Sequence, residues 1–598
     1  MQPVTRTHVT GDGMGNAQTN TPPFCPRLVS DGDRQWFAYW TYGGRLVVAS
    51  RSLPDGTWER DETGIEIDVR DGHWTPGLGI GPDGYLFLAY NVRCSTIRWR
   101  RSIRPADSSE FGTERIGTTG DGSSATYPEF TRLRDGTLLL GYREGESGHG
   151  DWYLDRWQPE TETWESLHHP LLSGTAGSSG ERSTERTEAT DSSCPYLWNL
   201  VQSTDGVLHA FWCWRRTPDV RTNSELSYAC SPDGGETWTT SSGREYELPI
   251  TQSAAEIVDP VSEGIDLLNN GWAATDPTTN APHVAYCRND AAGNTQLYHA
   301  TLESAADGND PAGEWRVESV TDRTTTANFG GPGVVGSPLG RMGIVVDDSS
   351  GVHILTRDLE RANWPLLYSK REGTWQSQHL VDRNLAYSDI HIDLQRWRQD
   401  RVLSFVEQPQ TVGDVPWAGA TEISITDVDP HAVWDRTTVA SSIVETDGRE
   451  NIDGSPDTSL ATFASTSLED PLLVDDTAFT PIGSGLGFDE LSVPATPVYA
   501  RVRIDGVDGS EREGKNDAAV RAHVSLVSDG ETRETVAGEP VSVTAGSKTA
   551  TTDWHRIPDG FRTGRVDGAV ATTSATPLWV RSATVELACP MPSVVEKQ

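Results

Sequence analysis

Lysine is almost missing from this chain of 598 residues. Only Lys370, Lys515, Lys548 and Lys597 occur, so nearly all of the 49 basic side chains are arginine, set against 87 acidic ones. The formal net charge is −38, which repels phosphates and argues against a nucleic-acid partner. An acidic, lysine-poor chain with 35% hydrophobic residues is expected of a protein from an extreme halophile. Long apolar runs are missing too. None reaches membrane-spanning length, so no membrane partner is expected. Residues 1–8 carry no apolar stretch of the export-signal type. The sequence as written therefore reads as cytoplasmic, and as secreted if an export signal has been removed. Cysteine is scarce: seven residues, at 25, 94, 194, 213, 230, 287 and 589, with no CxxC pair. The odd number and scattered spacing do not suggest a disulfide framework. Cys213 and Cys230 flank one expected hairpin, where buried free thiols are expected rather than a bridge or a metal site. No HExxH-like spacing occurs, so no metal centre is expected. Asp-rich loops leave a structural Ca²⁺ open without naming its ligands. Long helical periodicity is absent.

What is present is a succession of short, strongly apolar strands. Examples are Trp36–Trp40, Tyr85–Tyr90, Thr137–Tyr142, Val207–Trp212 and Gly351–Leu355. Most follow an Asp-Gly turn: Pro82-Asp-Gly84, Arg134-Asp-Gly136 or Thr204-Asp-Gly206. The unit of turn, aromatic strand, second strand and Trp returns every ~50–70 residues up to about 440, which suits four-stranded propeller blades, about seven of them. Residues 231–238 sharpen this reading. They run Ser-Pro-Asp-Gly-Gly-Glu-Thr-Trp, the Asp-box turn of many β-propellers. Asp and Gly suit the tight and left-handed turn positions, and the Ser and Asp side chains can bond local backbone. Degenerate copies occur at Ser52–Trp58 and Ser369–Trp375. The motif marks an architecture and not an activity, because hydrolases, lyases and binders share it.

Residues Leu171–Ser193 are rich in Gly, Ser, Thr and Glu and read as a long loop. A polar, turn-rich break comes later, at Thr446–Asp457. The expected fold is all-β: a β-propeller over 1–450 and a jelly-roll-like β-sandwich over 455–598.

Four stretches resemble the BNR-repeat family of propeller polysaccharide lyases, which includes ulvan lyases and rhamnose–glucuronate lyases. They are Asp71-Gly-His73-Trp-Thr-Pro with Gly81-Pro-Asp-Gly-Tyr85; Thr126-Tyr127-Pro-Glu-Phe; Gly141-Tyr-Arg143 through Asp151; and His209 to Arg216, leading into the Asp box. The resemblance covers roughly residues 20–430 and agrees in order and spacing. It implies β-elimination at a uronic acid within an acidic polysaccharide or oligosaccharide, with no cofactor and a monomeric enzyme. Carried over residue by residue, His73, Tyr127 and Arg143 are the catalytic candidates. His73 and Tyr127 handle protons, and Arg143 holds the carboxylate and is expected to lower the Tyr127 pKa. Asn91, Arg93, Trp74, Tyr196, Arg215 and Arg341 are candidates for substrate contact, and Trp198 and His149 are weaker ones. The family's second histidine is replaced here by Arg93, which cannot act as a base near neutral pH.

Two other functions compete. A sialidase-like hydrolase shares the propeller and the Asp box, but it needs an early Arg-Ile-Pro, where this chain has Cys25-Pro-Arg27-Leu. A non-catalytic glycan-binding propeller is the other, motivated by Arg93.

The charge generates the first prediction. Self-repulsion at −38 destabilises the compact state, and the screening length falls to about 3 Å at 1 M salt. The melting temperature is expected to rise steadily as KCl is raised to molar levels. A flat or falling curve removes the halophile reading.

Overall fold

The computed structural model describes residues 4–434 with their side chains, apart from 16–19, 22–24, 68–72, 120–122, 177–191, 304–312, 328–329, 332, 334, 362, 372, 382 and 411–419. Beyond these it describes the backbone of 435–437 and of the strands between Glu450 and Pro590. The chain divides into two compact units. One comprises 1–358, 365–380 and 385–433, and the other 359–364, 381–384 and 434–598.

The first unit is a seven-bladed β-propeller. Six sheets built on four-stranded antiparallel meanders succeed one another at 28–66, 77–116, 125–173, 194–259, 272–319 and 343–379, the third gaining a fifth, parallel strand from Ile250–Thr251. The seventh joins the two ends of the propeller: Leu403–Glu407 pairs with Ala420–Val428, which pairs with the amino-terminal strand Val4–Met14. The innermost position of this blade is held near Ile392, which bridges Phe405. Within each blade the strands differ in character. Second strands such as Leu86–Tyr90 and Leu208–Arg215 are buried throughout, because neighbouring blades cover both faces. That is why they read as apolar runs and not as alternating patterns. Outer strands such as Glu59–Glu66 are mostly exposed and polar.

Apolar clusters fill the spaces between successive blades. Trp36 and Trp40 of the first blade meet Leu78 and Leu88 of the second. Phe87 and Trp99 of the second meet Phe130, Trp157 and Trp164 of the third. A last cluster joins Val406 and Ile425 to Leu28 and Phe37, which closes the circle. Ion pairs reinforce the closure. Arg51 of the first blade makes two hydrogen bonds to the Asp427 carboxylate, at 2.9 and 2.8 Å, with both side chains buried. Arg6 joins Glu407 and Glu422 at 3.0 and 2.8 Å. A cavity lies among the inner strands, lined by Val29, Leu78, Phe130, Leu200 and Trp272. The short helix Leu394–Asp400 borders it, capped by Asp393, which accepts from the amides of Gln395 and Arg396.

The Asp-Gly turns join first to second strands. The Asp box joins the third strand of the fourth blade to the segment leading to its outer strand Glu256–Asp259. Its two degenerate copies also sit just after the third strand, in the first and sixth blades. The bonds of the Asp box are local. Ser231 Oγ accepts from the Gly235 amide at 2.8 Å and donates to Asp233 at 2.9 Å. Asp233 accepts from the Thr237 amide and hydroxyl at 2.9 and 2.7 Å. Gly234 and Gly235 take φ of 77° and 101°, which a side chain would disfavour. Trp238 is fully buried and donates to the Gly235 carbonyl at 3.0 Å. Across the hairpin before this turn, Cys213 pairs with Leu226 and Cys230 with His209, so the two cysteines do not oppose each other. Both are free thiols. Most of the loop expected at Leu171–Ser193 lies outside the described residues, as does most of the break at Thr446–Asp457.

The second unit is a β-sandwich of two antiparallel sheets. One orders Ser459–Ser467, Leu578–Pro590, Tyr499–Asp508 and Thr549–Thr551. The other orders Thr480–Phe488, Gly564–Thr572, Ala518–Ser528 and Glu531–Ala537. The first and last of these strands in the chain pair, and chain-adjacent strands mostly alternate between sheets, which is the jelly-roll arrangement.

Asp427→Ala leaves the Arg51 guanidinium buried without its counter-charge. The expected loss is about 3–5 kcal/mol of stability, read by denaturant unfolding. A loss below about 1 kcal/mol would show that the ring closes on strand pairing and apolar packing alone.

Candidate active site

In a four-stranded meander, first-to-second turns lie on one face of the propeller, and second-to-third turns and blade-to-blade connections lie on the other. His73 and Trp74 precede the inner strand Gly77–Ile80, and Asn91 and Arg93 come after the second strand Leu86–Tyr90. Tyr127 and Tyr196 begin the inner strands of the third and fourth blades, and Arg143 and Arg215 lie near the ends of their second strands. Arg341 precedes the inner strand Gly343–Val346. All therefore belong to the face opposite the Asp-Gly turns.

Local backbone geometry aims them. Thr126 pairs with Arg143 and Glu129 with Gly141, so one extra residue is inserted between these pairs. Such a bulge bends a strand and redirects a side chain. Tyr127 sits in it with φ of 61°, a left-handed conformation costing an L-residue about 1–2 kcal/mol. Its ring lies 5.1 Å from the Arg143 guanidinium carbon and 6.3 Å from the His73 ring. Asn91 and Cys94, on either side of Arg93, are left-handed as well, with φ of 53° and 40°. Their turn docks on the third blade, with the Cys94 amide donating to Thr126 Oγ1 at 2.8 Å. Left-handed residues other than glycine are uncommon, and such strain collects where function requires a fixed geometry.

Arg143 is buried. Its Nη1 donates to the Tyr196 hydroxyl at 3.1 Å, its Nη2 lies 4.0 Å from Cys94 Sγ, and its Nε has no hydrogen-bond partner among the described residues. Arg215 is buried too. It donates to the same Tyr196 hydroxyl at 3.3 Å, to Asn223 Oδ1 at 2.7 Å and to Asn269 Oδ1. The Tyr196 ring is close to both cations, its centroid 5.6 and 4.5 Å from their guanidinium carbons. Ser147 Oγ adds a 2.7 Å bond to its hydroxyl. Neither guanidinium has a carboxylate partner among the described residues. Buried charges are ordinarily paired, since removing an ion from water costs several kcal/mol. Here both guanidinium charges are left uncancelled by any described carboxylate.

Arg341 differs. It pairs with Asp389 at 2.8 Å and donates to the Asn269 carbonyl at 2.9 Å, so it holds the framework behind Arg215. Trp74 is half-buried, and its carbonyl accepts from Trp40 Nε1 at 2.8 Å. Asn91 Oδ1 is buried without a hydrogen-bond partner among the described residues. Arg93 is half-buried within the docked turn, and its amide donates to Ser95 Oγ at 3.2 Å. His149 is half-buried on the hairpin beyond Arg143, paired with Glu146. Trp198 is fully buried in the cluster between the fourth and fifth blades and is a core residue, not a contact for ligand. Arg27 is likewise interior and donates to the Cys25 carbonyl at 3.0 Å. Sequence reasoning misses Asn223, Asn269, Ser147 and Cys94. Cys94 and Ser147 stand inside or beside the matched motifs, whereas nothing local marks Asn223 or Asn269.

The expected pKa effect on Tyr127 is reversed. Burial raises it to about 12, and this outweighs the lowering by Arg143, Arg215 and Arg341, while Tyr196 raises it further. The resting side chain is a neutral phenol. Since folding raises this pKa above its ordinary 10, the group favours the folded state below pH 10, and that contribution is lost as pH rises towards 12. Comparing the alkaline phenolate absorbance of the native protein with that of Tyr127→Phe should assign to Tyr127 a titration near pH 12. A titration below 10 would mean that the guanidiniums dominate.

Comparison with known proteins places this geometry. Residues 34–323 match the family described as BNR repeat-containing. The long isoform of an ulvan lyase from Alteromonas sp is 28% identical over 149 residues, covering 24% of this chain and 14% of that protein. The chain thus matches a small part of that relative's length. The solved structure of the polysaccharide lyase Uly1 superposes with a TM-score of 0.52 at 13% identity, covering 72% of this chain and 99% of that one. A PL25 ulvan lyase bound to -[GlcA(1-4)Rha3S]- gives 0.50 at 15% identity, covering 70% and 96%. At these identities the likeness to the solved structures is one of fold. The stretch that carries most of the blades, residues 34–323, is thus similar to BNR repeat-containing family members.

Proposed function

We propose that this chain is a polysaccharide lyase that cleaves beside a uronic acid by β-elimination, on an ulvan-type acidic glycan. The observation that carries the reading is the pair of buried guanidiniums, Arg143 and Arg215, without carboxylate partners among the described residues and with Tyr127 and His73 beside them. The glucuronate–rhamnose sulfate bound by the PL25 ulvan lyase supports this substrate class.

The chemistry can be derived from the site. Arg143 neutralises the uronate carboxylate, which makes the C5 proton acidic and stabilises the enolate-like intermediate. The C5 proton leaves, its electron pair forms the C4=C5 bond, the C4–O4 bond breaks and O4 takes up a proton. Tyr127, a neutral phenol at rest, donates to O4. His73, whose neutral imidazole carries a lone pair, accepts from C5. Arg93, standing where the resemblance has a second histidine, adds positive charge and takes no proton.

The test is the ultraviolet absorbance of the unsaturated uronate formed from ulvan-type glycans in high salt. Tyr127→Phe removes one hydroxyl and should slow its formation by about 10²–10⁴-fold while binding survives. His73→Ala should do the same, the two losses being far from additive. Arg143→Lys keeps the charge but loses the planar fork and should also be damaging. Product formation by Tyr127→Phe at the native rate would reject the proton assignment. Binding by the native chain without unsaturated product would favour the glycan-binding alternative.

A further inference from the structure

Asp347, His353 and His431 form a second cluster on the face away from the active site. Asp347 opens the first-to-second-strand turn of the sixth blade, and His353 stands in the next strand, Val352–Asp358. His431 lies at the start of the helix Pro430–Thr437, just past the strand Ala420–Val428 of the seventh blade. Asp429 caps that helix by accepting from the amides of His431 and Ala432 at 3.0 and 3.1 Å.

The two carboxylate oxygens of Asp347 have separate tasks. Oδ1 holds the turn, accepting from the amides of Ser349 and Gly351, both at 2.8 Å, and from the Ser349 hydroxyl at 2.7 Å. Oδ2 faces two imidazoles, 3.1 Å from His353 Nε2 and 3.3 Å from His431 Nε2. All three donor atoms lie within 4.8 Å of one another. The far nitrogen of His353, Nδ1, lies 2.7 Å from Ser369 Oγ, which orients the ring and leaves Nε2 for the cluster. Gly351 belongs to the arrangement: a Cβ there would come within 2.5 Å of Asp347 Oδ2.

Three atoms that can carry lone pairs converge, so either imidazole N–H groups donate to the carboxylate or a metal ion lies between them. The spacing suits the metal. Zinc bonds to nitrogen and oxygen are about 2.0–2.2 Å, so neighbouring ligand atoms of a tetrahedral ion lie about 3.3–3.5 Å apart. The two measured spacings from Oδ2 are close to that edge. Two imidazoles and one carboxylate suit zinc, whereas calcium and magnesium prefer all-oxygen sets. A ligating histidine is commonly oriented by a hydrogen bond at its other ring nitrogen, and here Ser369 supplies that bond. The acidic chain also concentrates cations near its surface.

We propose that Asp347, His353 and His431 bind one zinc ion, with water as the fourth ligand, and that the ion staples the end of the seventh blade to the sixth. The site lies on the opposite face from Tyr127 and Arg143 and takes no part in the elimination chemistry.

The test uses the full chain, stripped with a chelator and then titrated with zinc, with bound metal counted after dialysis and melting followed in parallel. One zinc per chain and a higher melting temperature are expected, with no matching effect from calcium. The His431 side chain is 58% exposed, so His431→Ala should fold normally, lose that zinc and lose the zinc-dependent stabilisation. Ser369→Ala keeps all three ligands and should weaken binding by about 10–100-fold. A native chain that binds no zinc, or a His431→Ala variant that binds it with unchanged stoichiometry and affinity, would overturn the proposal. In that case the cluster is a hydrogen-bonded imidazole–carboxylate network.

Discussion

Everything in the propeller depends on closing the ring. A blade apolar on both faces needs a neighbour on each side, so an open array would leave two large apolar surfaces in water. This chain meets the requirement by pairing its first strand, Val4–Met14, with Ala420–Val428 and by burying the Arg51–Asp427 pair beside that junction. The candidate site residues are far apart in sequence, from His73 to Arg215, yet they converge. The blades that carry them are held by the clusters between neighbours, and the circle leaves those blades no freedom to splay.

Closure also allows the site to hold an arrangement that would be unstable by itself. Arg143 and Arg215 both approach one phenol, that of Tyr196, and their hydrogen bonds go to hydroxyl and amide oxygens, not to carboxylates. Neutral oxygens satisfy the donors without cancelling the charge, so the field remains available to an incoming anion. Arg341 shows the contrast. It is equally buried, but Asp389 neutralises it, and its role is to hold Asn269, which in turn holds Arg215. Three arginines on one face thus divide between two whose charge is left uncancelled and one that is paired and supports them.

The features readable from sequence were those whose causes are local. The second strands were visible because burial on both faces produces unbroken apolar runs, and the Asp box because its bonds close within eight residues. The outer strands were hard to see. Glu59–Glu66 is mostly exposed, and its pairing partner alone makes it a strand. The ring-closing strand Val4–Met14 is similar, since its partner lies about four hundred residues away. At the site, the motifs pointed to His73, Tyr127 and Arg143, and those residues do come together. The Tyr127 pKa ran opposite to expectation because spacing showed the nearby cation but not the burial that opposes it. Asn269 was invisible for the same kind of reason: its role is fixed by the fifth blade's position beside the fourth.

The two faces of the propeller obey different physical rules. On one, short Asp-Gly turns and the Asp box satisfy their own backbone groups within a few residues, as when Asp233 takes both the amide and the hydroxyl of Thr237. Such turns are stiff and self-contained. On the other face the connections cannot close on themselves. The turn Asn91–Ser95 is held by the neighbouring blade, through Thr126 and Ala125, and Tyr127 is left-handed inside a bulge that Arg143 opposes. Residues held by a neighbouring blade can be changed in aim by a bulge or a turn without unfolding the blade that carries them. The candidate site therefore collects on the face where the local rules are broken, and the regular face supplies the rigidity that makes those departures tolerable.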